Sequence, residues 1–295
     1  ITYPLMENQR GLYIEWQKNP TTTQYNIPQA YSFEDIDTCR LVNALKQTVD
    51  AHPYLKSSLI EVNGTVVLQR NDQDVVEVKI SELSEEPDKN FFQKLISPFH
   101  LLGDQLYRLE VIKTPRKTYL FFDIHHILFD GLSEKIFMND LKRIYEGYAL
   151  EKESFQAFDY ALYEESELEK TEKIQEAESF YDELLTDANS LSLPSYFTPD
   201  GIDYAKVDVS LPSHQIDAFC AVNGITVNSY MHAAFAVFVK RLNKETHPLY
   251  LTISNGRDIG TDLQHSIGMF VKTMPIVIRT ELVQGLTIAR SESVV

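Results

Sequence analysis

Two adjacent histidines followed by an acidic turn are the residues of this sequence best suited to chemistry. They lie in the segment HHILFDG at positions 125–131, directly after the aromatic and aliphatic run YLFFDI at positions 119–124. Such a run is typical of a β-strand. Because neighbouring side chains on a strand point to opposite faces, we expect one imidazole to face a cavity and the other to be fixed inside the protein. The pattern therefore favours a single histidine at a reaction centre over a metal site that uses both.

Further motifs accompany this segment along the chain. They read, in order, LMENQRGLY at 5–13, AHPYLKSSL at 51–59, PFHL at 98–101 with LYR at 106–108, AFDYA at 157–161, SNGR at 254–257 and IGMFVKT at 267–273. Together with HHILFDG they resemble the HHxxxDG signature and companion motifs of condensation domains in nonribosomal peptide synthetases, whose superfamily includes chloramphenicol acetyltransferase. Order and spacing match across nearly the whole chain. Pro53, Lys56 and Lys272 replace residues usual in the family.

The resemblance implies an α+β fold, a two-layer α/β sandwich of the chloramphenicol acetyltransferase type. We expect residues 1–175 to form an N-terminal lobe that carries the HHxxxDG motif. Residues 176–295 are expected to form part of a second lobe of the same type. The last motifs of the family have no counterpart here, so the sequence is interpreted as a C-terminally truncated condensation domain.

Local patterns predict the elements that position the motif. Strands are expected at 106–113 and 118–125, and Asn63-Gly64 predicts a tight hairpin between two short strands. Apolar residues at helical spacing predict an amphipathic helix over 133–148. The acidic stretch 151–183 is expected to be helical and to bridge the two lobes.

Composition and charge exclude several classes of partner. The 295 residues are 43% apolar, an ordinary fraction for a globular protein, and carry a net charge of −16. Nucleic acids and anionic membranes require concentrated Lys and Arg, so neither is an expected partner. No apolar run approaches the length of a membrane span, and the sequence shows no secretory signal. The glutamates crowded into 151–183 are interpreted as a solvated helix face, with a docking surface for a basic partner as the minority alternative.

The cysteine content favours a reducing compartment. Cys39 and Cys220 are the only two cysteines, which is too few for a disulfide scaffold in a chain of this size. Neither has zinc-ligand spacing, so no metal site is expected. Both are expected to be buried helix residues, although a thiol nucleophile is possible in principle. Because the family is cytosolic, the resemblance implies a cytoplasmic protein.

The reaction that the resemblance implies is amide formation. A carrier-bound aminoacyl amine attacks a carrier-bound acyl or peptidyl thioester, so both substrates arrive on the phosphopantetheine arms of donor and acceptor carrier proteins. No cofactor is expected to bind directly, and adenylation domains are expected as neighbours in the parent synthetase. His126 is the candidate for deprotonating or orienting the amine. Since an imidazole titrates near neutral pH, the sequence leaves both roles open.

The other residues of the motif are expected to support His126. Asp130 is expected to be structural, because in the family it pairs with the arginine of the GR motif, here Arg257. Gly131 is expected to allow a backbone conformation or a close approach that a side chain would block, and its N–H is a candidate oxyanion contact. Ser133 is a candidate N-cap of the following helix, and His125 is expected to hold the strand end by internal hydrogen bonding.

Three residues of the first motif, Gln9, Arg10 and Tyr13, are candidates for lining a substrate tunnel, with packing between the lobes as the commoner explanation. Four other functions compete with condensation. They are an epimerisation domain of the same superfamily, a non-catalytic relative that recruits partners, a free-standing acyltransferase that uses CoA, and a heterocyclisation domain. The GMFV segment at 268–271 favours the condensing branch over epimerisation. The second histidine counts against a non-catalytic relative, and HHxxxDG counts against heterocyclisation, which uses a double-aspartate motif.

Overall fold

The computed structural model describes residues 1–150, 153–186, 189–190, 208–243, 248–257 and 263–277. The chain divides into two compact units: Ile1–Lys173 with Ser254–Lys272, and Ile174–Ile253 with Thr273–Val295. The predicted lobes, 1–175 and 176–295, remain a prediction. The stretch 254–272, which the sequence assigned to the second lobe, is part of the first compact unit.

Helices and strands are mixed along the chain, which confirms the predicted α+β class. The strands are β1 (Thr2–Tyr3), β2 (Asn26–Phe33), β3 (Ser57–Val62), β4 (Thr65–Arg70), β5 (Lys79–Glu82), β6 (Tyr107–Lys113), β7 (Thr118–His125), β8 (Asn189–Ser190), β9 (Pro248–Ser254) and β10 (Lys272–Val277). The α-helices are α1 (Glu7–Lys18), α2 (Thr38–Ala51), α3 (Lys89–Leu95), α4 (Gly131–Glu146), α5 (Ala157–Leu168), α6 (Thr171–Leu185), α7 (Ser213–Asn223) and α8 (Val227–Asn243).

Strand β7 is the central support of the motif. It lies in a four-stranded sheet of order β2-β7-β6-β5, antiparallel to β2 and β6. Leu120, Phe122 and Ile124 enter a core with residues of α2 and α4. On the opposite face Phe121 stacks on Phe92 of α3, with ring centroids 6.2 Å apart. Because both faces are covered, the strand is apolar almost throughout and fixes the point at which HHILFDG begins.

The two predicted pairs of strands are confirmed. Strands β6 and β7 differ from the predicted ranges by a single residue at the start of β6. Asn63 and Gly64 join β3 and β4 with φ angles of 53° and 78°. Positive φ at both central residues is the geometry of a type I′ turn, which Asn-Gly favours and which matches the twist of the paired strands.

Two local predictions need correction. Helix α4 spans Gly131–Glu146, so it begins and ends two residues before the predicted 133–148, and the acidic stretch forms two helices, α5 and α6. Cys220 is buried as expected, but Cys39 is exposed. Cys39 lies in the first turn of α2, whose core side begins with Leu41 and Val42, so the burial predicted for Cys39 was wrong.

The second unit contains a sheet of order β10-β9-β8 and the helices α7 and α8. Many of its large apolar side chains are exposed, among them Val222, Phe235, Phe238, Leu251 and Ile253. Each helix among the described residues is too short or too polar for a membrane span.

Candidate active site

Strand β7 ends between the two histidines of the motif: His125 is the last strand residue, and His126 opens a short 3₁₀ helix, His126–Leu128. The N–H of His126 donates to the carbonyl of Tyr25 at 2.8 Å, and the carbonyl of His126 accepts from the N–H of Phe129 at 3.1 Å. The expectation that strand alternation separates the imidazoles therefore needs correction. The change from strand to 3₁₀ helix gives the two rings different surroundings.

His125 is buried and held in one protonation state. Its Nδ1 accepts a hydrogen bond from the N–H of Ile127 at 3.1 Å, so the ring proton of the neutral form is on Nε2. Burial lowers the pKa of His125 to about 3, and the charges of His126 and Arg108 add to this effect. The ring is therefore neutral near pH 7. This internal hydrogen bond at the strand end is the contact that the sequence led us to expect.

His126 is half-buried, and its two ring nitrogens differ. Nδ1 lies in the buried part of the ring and has no hydrogen-bond partner among the residues that the structure describes. Because Nδ1 is buried, Nε2 is the candidate nitrogen for contact with a substrate. A proton acceptor or a hydrogen-bond partner for an amine must be within about 3.2 Å of the nitrogen that it serves. Both tasks of His126 remain predictions, and either would fall to Nε2.

Asp130 and Arg257 form the ion pair that the resemblance implied. Arg257 Nη1 donates to Asp130 Oδ2 at 2.8 Å and Nη2 donates to Oδ1 at 3.0 Å, with both side chains fully buried. Nε donates to the carbonyl of Leu263 and Nη2 to the carbonyl of Ser266, each at 3.2 Å, and Nη2 also lies 3.2 Å from the Ser133 hydroxyl. A bidentate pair of this kind is directional and strong. It joins the motif to a segment far along the chain within the first compact unit.

The Asp130 carboxylate also starts helix α4. Asp130 is the N-cap, because its Oδ1 accepts from the N–H of Ser133 at 2.9 Å. The prediction that Ser133 is the N-cap was wrong, since the helix begins at Gly131 and Ser133 is its third residue. The hydroxyl of Ser133 instead lies 2.8 Å from Asp130 Oδ1 and 2.9 Å from the carbonyl of Gly268, and it accepts from the N–H of Gly268 at 3.1 Å.

Gly131 is the first residue of α4 and is exposed. A Cβ added there would meet no atom within 4 Å, and its φ is outside the left-handed region. The backbone therefore does not require glycine at this position. The first N–H groups of a helix have no acceptor within the helix. The open space beside Gly131 leaves room for an approaching ligand, and the oxyanion role of its N–H remains a prediction.

The backbone does require glycine at Gly256, in the SNGR motif. Its φ is 66°, and an added Cβ would lie 1.8 Å from the carbonyl oxygen of Phe270. This close approach sets Phe270 beside the ion pair. The N–H of Phe270 donates to Asp130 Oδ2 at 3.1 Å, and the Arg257 guanidinium lies 4.5 Å from the centre of the Phe270 ring. The SNGR and IGMFVKT motifs thus meet at the carboxylate of HHILFDG.

A second buried carboxylate lies on the same strand face as His125. Asp123 Oδ2 accepts from Arg108 at 3.0 Å and from Asn26 at 2.7 Å, yet burial keeps the pKa of Asp123 above its ordinary value. The Arg108 guanidinium lies 3.7 Å from the centre of the Phe99 ring. Phe99 in turn packs edge-on against His125. Sequence reasoning did not assign these contacts, although the PFHL and LYR motifs contain both partners.

The three candidates from the first motif lie in different surroundings on α1. Gln9 is fully buried and bonds to the motif turn, so it does not line an open tunnel. Arg10 is exposed and bonds to its neighbours, the carbonyl of Leu5 and the carboxylate of Glu7. Tyr13 is half-buried and stacks on Trp16, with ring centroids 5.8 Å apart. A tunnel role for Arg10 and Tyr13 remains a prediction.

Comparison with known proteins assigns the family. The family model described as Condensation domain matches residues 1–289. The chain belongs to the condensation domain family. Surfactin synthase subunit 2 of Bacillus subtilis (strain 168) is 28% identical over 283 residues, which are 93% of this chain and 8% of the relative. This chain thus spans only a small part of the length of that synthase.

Solved structures share the fold of this condensation domain at low identity. The condensation domain of the monacolin K polyketide synthase MokA has a TM-score of 0.80 and 17% identity, with 96% of this chain and 68% of that chain covered. The epimerization domain from the third module of tyrocidine synthetase B has a TM-score of 0.78 and 18% identity, with 95% and 69% covered. Both likenesses confirm the fold predicted from the motifs and leave the choice of reaction open.

A second buried imidazole, that of His52, connects elements that surround the site of this condensation domain. His52 follows α2; its Nε2 lies 3.0 Å from Asp140 and its Nδ1 lies 2.8 Å from Glu153. Burial alone lowers the pKa of His52. The hydrogen bonds and charges of Asp140 and Glu153 outweigh burial and raise the pKa to about 9. Glu153 also accepts from the N–H of Ile267, so the imidazolium joins two helices to the IGMFVKT motif.

We expect the stability of this condensation domain to fall as the pH rises through the pKa of His52. The raised folded-state pKa means that the contribution is complete below the unfolded pKa of about 6.5 and is lost as the pH approaches 9. The loss is about 3 kcal/mol. Urea unfolding at several pH values, with His52→Gln alongside, measures it. His52→Gln should remove this slope, whereas His100→Gln, at an exposed histidine, should keep it. An unchanged slope in His52→Gln would contradict the assignment.

Proposed function

We propose that the chain is the motif-bearing part of a condensation domain in a nonribosomal peptide synthetase. It joins an acyl or peptidyl donor to an aminoacyl acceptor through an amide bond. Both substrates are thioesters on the phosphopantetheine arms of donor and acceptor carrier proteins, and adenylation domains are the expected neighbours in the parent protein. The observation that carries the proposal is the half-buried ring of His126, with its Nδ1 turned inward, on a turn whose neighbours, His125 and Asp130, are buried and fixed.

The reaction needs little help with bond activation. The amine nitrogen of the acceptor attacks the thioester carbonyl of the donor, the C–N bond forms and the C–S bond breaks. The thiol of the donor arm leaves, and the proton lost by the amine ends on that sulfur. Bringing two tethered reactants together supplies much of the rate. His126 Nε2 either takes the amine proton or holds the amine in position, and the N–H of Gly131 is the proposed contact of the oxyanion.

Epimerisation is the alternative that a specific observation favours. The epimerization domain of tyrocidine synthetase B matches the fold as well as a condensation domain does. That reaction inverts an aminoacyl Cα and forms no new amide. The GMFV segment favours condensation. A non-catalytic relative or a free-standing acyltransferase would need neither two loaded carriers nor their adenylation domains.

The function is tested by mixing the full-length parent protein with separately loaded donor and acceptor carrier proteins. We expect a dipeptidyl thioester on the acceptor carrier, detected by mass spectrometry of the intact carrier. Chiral analysis of the acceptor residue before condensation separates the alternative, because an epimerisation domain would yield inverted aminoacyl thioester and no dipeptide. No product with either carrier would favour the non-catalytic alternative.

The 295 residues alone are proposed to condense slowly or not at all. They cover 68% of the MokA condensation domain, and the described helices and strands of the second unit leave large apolar side chains exposed. In the same carrier assay we expect a rate far below that of the parent protein. Equal rates would refute this prediction.

We propose a cytoplasmic location, since both cysteines are free thiols, as is common in a reducing compartment.

A further inference from the structure

The side chain of Gln9 is a fully satisfied amide in the interior of the first unit. It has no solvent exposure. Its Oε1 accepts from the N–H of Met6 at 3.0 Å, and its Nε2 donates to the hydroxyl of Tyr54 at 2.7 Å and to the carbonyl of Ile127 at 2.6 Å. This pattern fixes the amide orientation. In a flipped amide the NH₂ group would face the N–H of Met6, and the oxygen would face the carbonyl oxygen of Ile127, so neither hydrogen bond could form.

The bond to Ile127 reaches the turn that presents His126. Ile127 is the middle residue of the 3₁₀ helix that His126 opens. Around His126, its own N–H is held by Tyr25, the N–H of Ile127 is held by His125, and the carbonyl of Ile127 is held by Gln9. The backbone on both sides of His126 is therefore fixed by hydrogen bonds. Gln9 is the contribution of α1 to this set.

The neighbouring residue couples the same helix turn to the distant motif. Asn8 Nδ2 donates to the carbonyls of Met269 and Val271 at 2.8 and 3.0 Å. The first turn of α1 thus binds the IGMFVKT segment through Asn8 and the 3₁₀ turn that carries His126 through Gln9. Asp130 binds the N–H of Phe270 in that segment. A shift of the first turn of α1 would therefore move both the 3₁₀ turn that carries His126 and the IGMFVKT segment that is bound to Asp130.

We infer that Gln9 is a positioning residue for His126. Its amide fixes the carbonyl of Ile127 and so sets the direction in which Nε2 of His126 faces the substrates. The inference rests on the proposed role of His126 and extends it to a residue outside the HHxxxDG motif. Removing the Ile127 bond frees a buried carbonyl and lets the 3₁₀ turn relax. Because a displacement of about 1 Å can cost up to about 100-fold in rate, the effect should appear in turnover.

The test begins with a measurement that needs no substrate. In the 295-residue chain labelled with ¹⁵N-histidine, the ring signals of His126 are assigned by their loss in His126→Ala. We expect Gln9→Met to shift and broaden the His126 ring signals and to change their titration, while the signals of His214, an exposed histidine of α7, stay in place. Gln47→Met, at an exposed glutamine of α2, is the control and should leave the His126 signals unchanged.

Tyr54→Phe separates positioning from packing. It removes the acceptor of the other Gln9 Nε2 bond and leaves the bond to Ile127 intact. We expect it to lower the melting temperature while the His126 ring signals keep their wild-type titration. If Gln9→Met and Tyr54→Phe both lower the melting temperature and neither alters His126, Gln9 is a packing residue and the inference is overturned.

Turnover in the full-length parent protein completes the test. We expect Gln9→Met to lower kcat by about 10-fold to 100-fold with little change in KM, since it moves a catalytic group and no binding contact.

Should Gln9→Met fail to fold, Gln9→Glu in alkaline buffer tests the inference instead, because an ionised carboxylate keeps the acceptor for Met6 and donates nothing to Ile127. Wild-type His126 signals in that variant would overturn the inference. If the wild-type parent protein forms no dipeptidyl thioester, the proposed function is wrong. The His126 ring signals would still decide whether Gln9 positions the turn.

Discussion

Replacing His126 by alanine in the parent protein should lower the rate of amide formation by about 100-fold to 10 000-fold, the usual contribution of a positioned acid–base group. The ring is half-buried on a turn whose backbone is held by Tyr25 and Gln9, so its removal leaves the surrounding hydrogen bonds in place. We therefore expect the melting temperature to change little. Single-turnover formation of the dipeptidyl thioester measures the rate, and circular dichroism measures the fold.

His214→Ala is the matched control for that prediction, because His214 is an exposed histidine of α7 in the second unit. It should leave the rate unchanged. Turnover in His126→Ala within a few-fold of wild type, with the fold intact, would rule out the assigned role.

The sequence predicted the elements whose geometry is local. The Asn63-Gly64 hairpin depends on two residues that adopt positive φ readily. Strands β6 and β7 follow from their aromatic and β-branched composition. Helix α4 was misplaced by two residues because the N-cap was assigned to Ser133. Asp130 was already given to the ion pair, and one carboxylate performs both tasks. Periodicity alone does not reveal a side chain with two roles.

Contacts between distant parts of the chain could be predicted only from the resemblance. Arg257 is separated from Asp130 by 127 positions, and no local pattern indicates that the two meet. Gln9 shows the other limit. Its motif was noticed, but a polar residue on a helix is usually exposed, and only its three buried hydrogen bonds reveal its place.

Replacing Arg257 by methionine should destabilise the first unit by about 3–5 kcal/mol, the usual cost of leaving one member of a buried ion pair without its partner. The Asp130 carboxylate would keep the donors from Ser133 and Phe270 but lose both bonds to the guanidinium. The segment that carries Phe270 would also lose its cation–π contact. Urea unfolding followed by near-ultraviolet circular dichroism measures the change.

A double-mutant cycle shows whether the loss comes from the unpaired charge. Asp130→Asn should destabilise by a similar amount, because it leaves the guanidinium buried without a counter-ion. If burial of an unpaired charge is the cause, the double variant Asp130→Asn with Arg257→Met should be less destabilised than the sum of the two single changes. The exposed pair Lys18 and Glu15 is the control, and Lys18→Met should cost less than about 1 kcal/mol. An Arg257→Met variant as stable as that control would contradict the prediction. The buried pair would then serve to set the register of the SNGR segment against HHILFDG while adding little to stability.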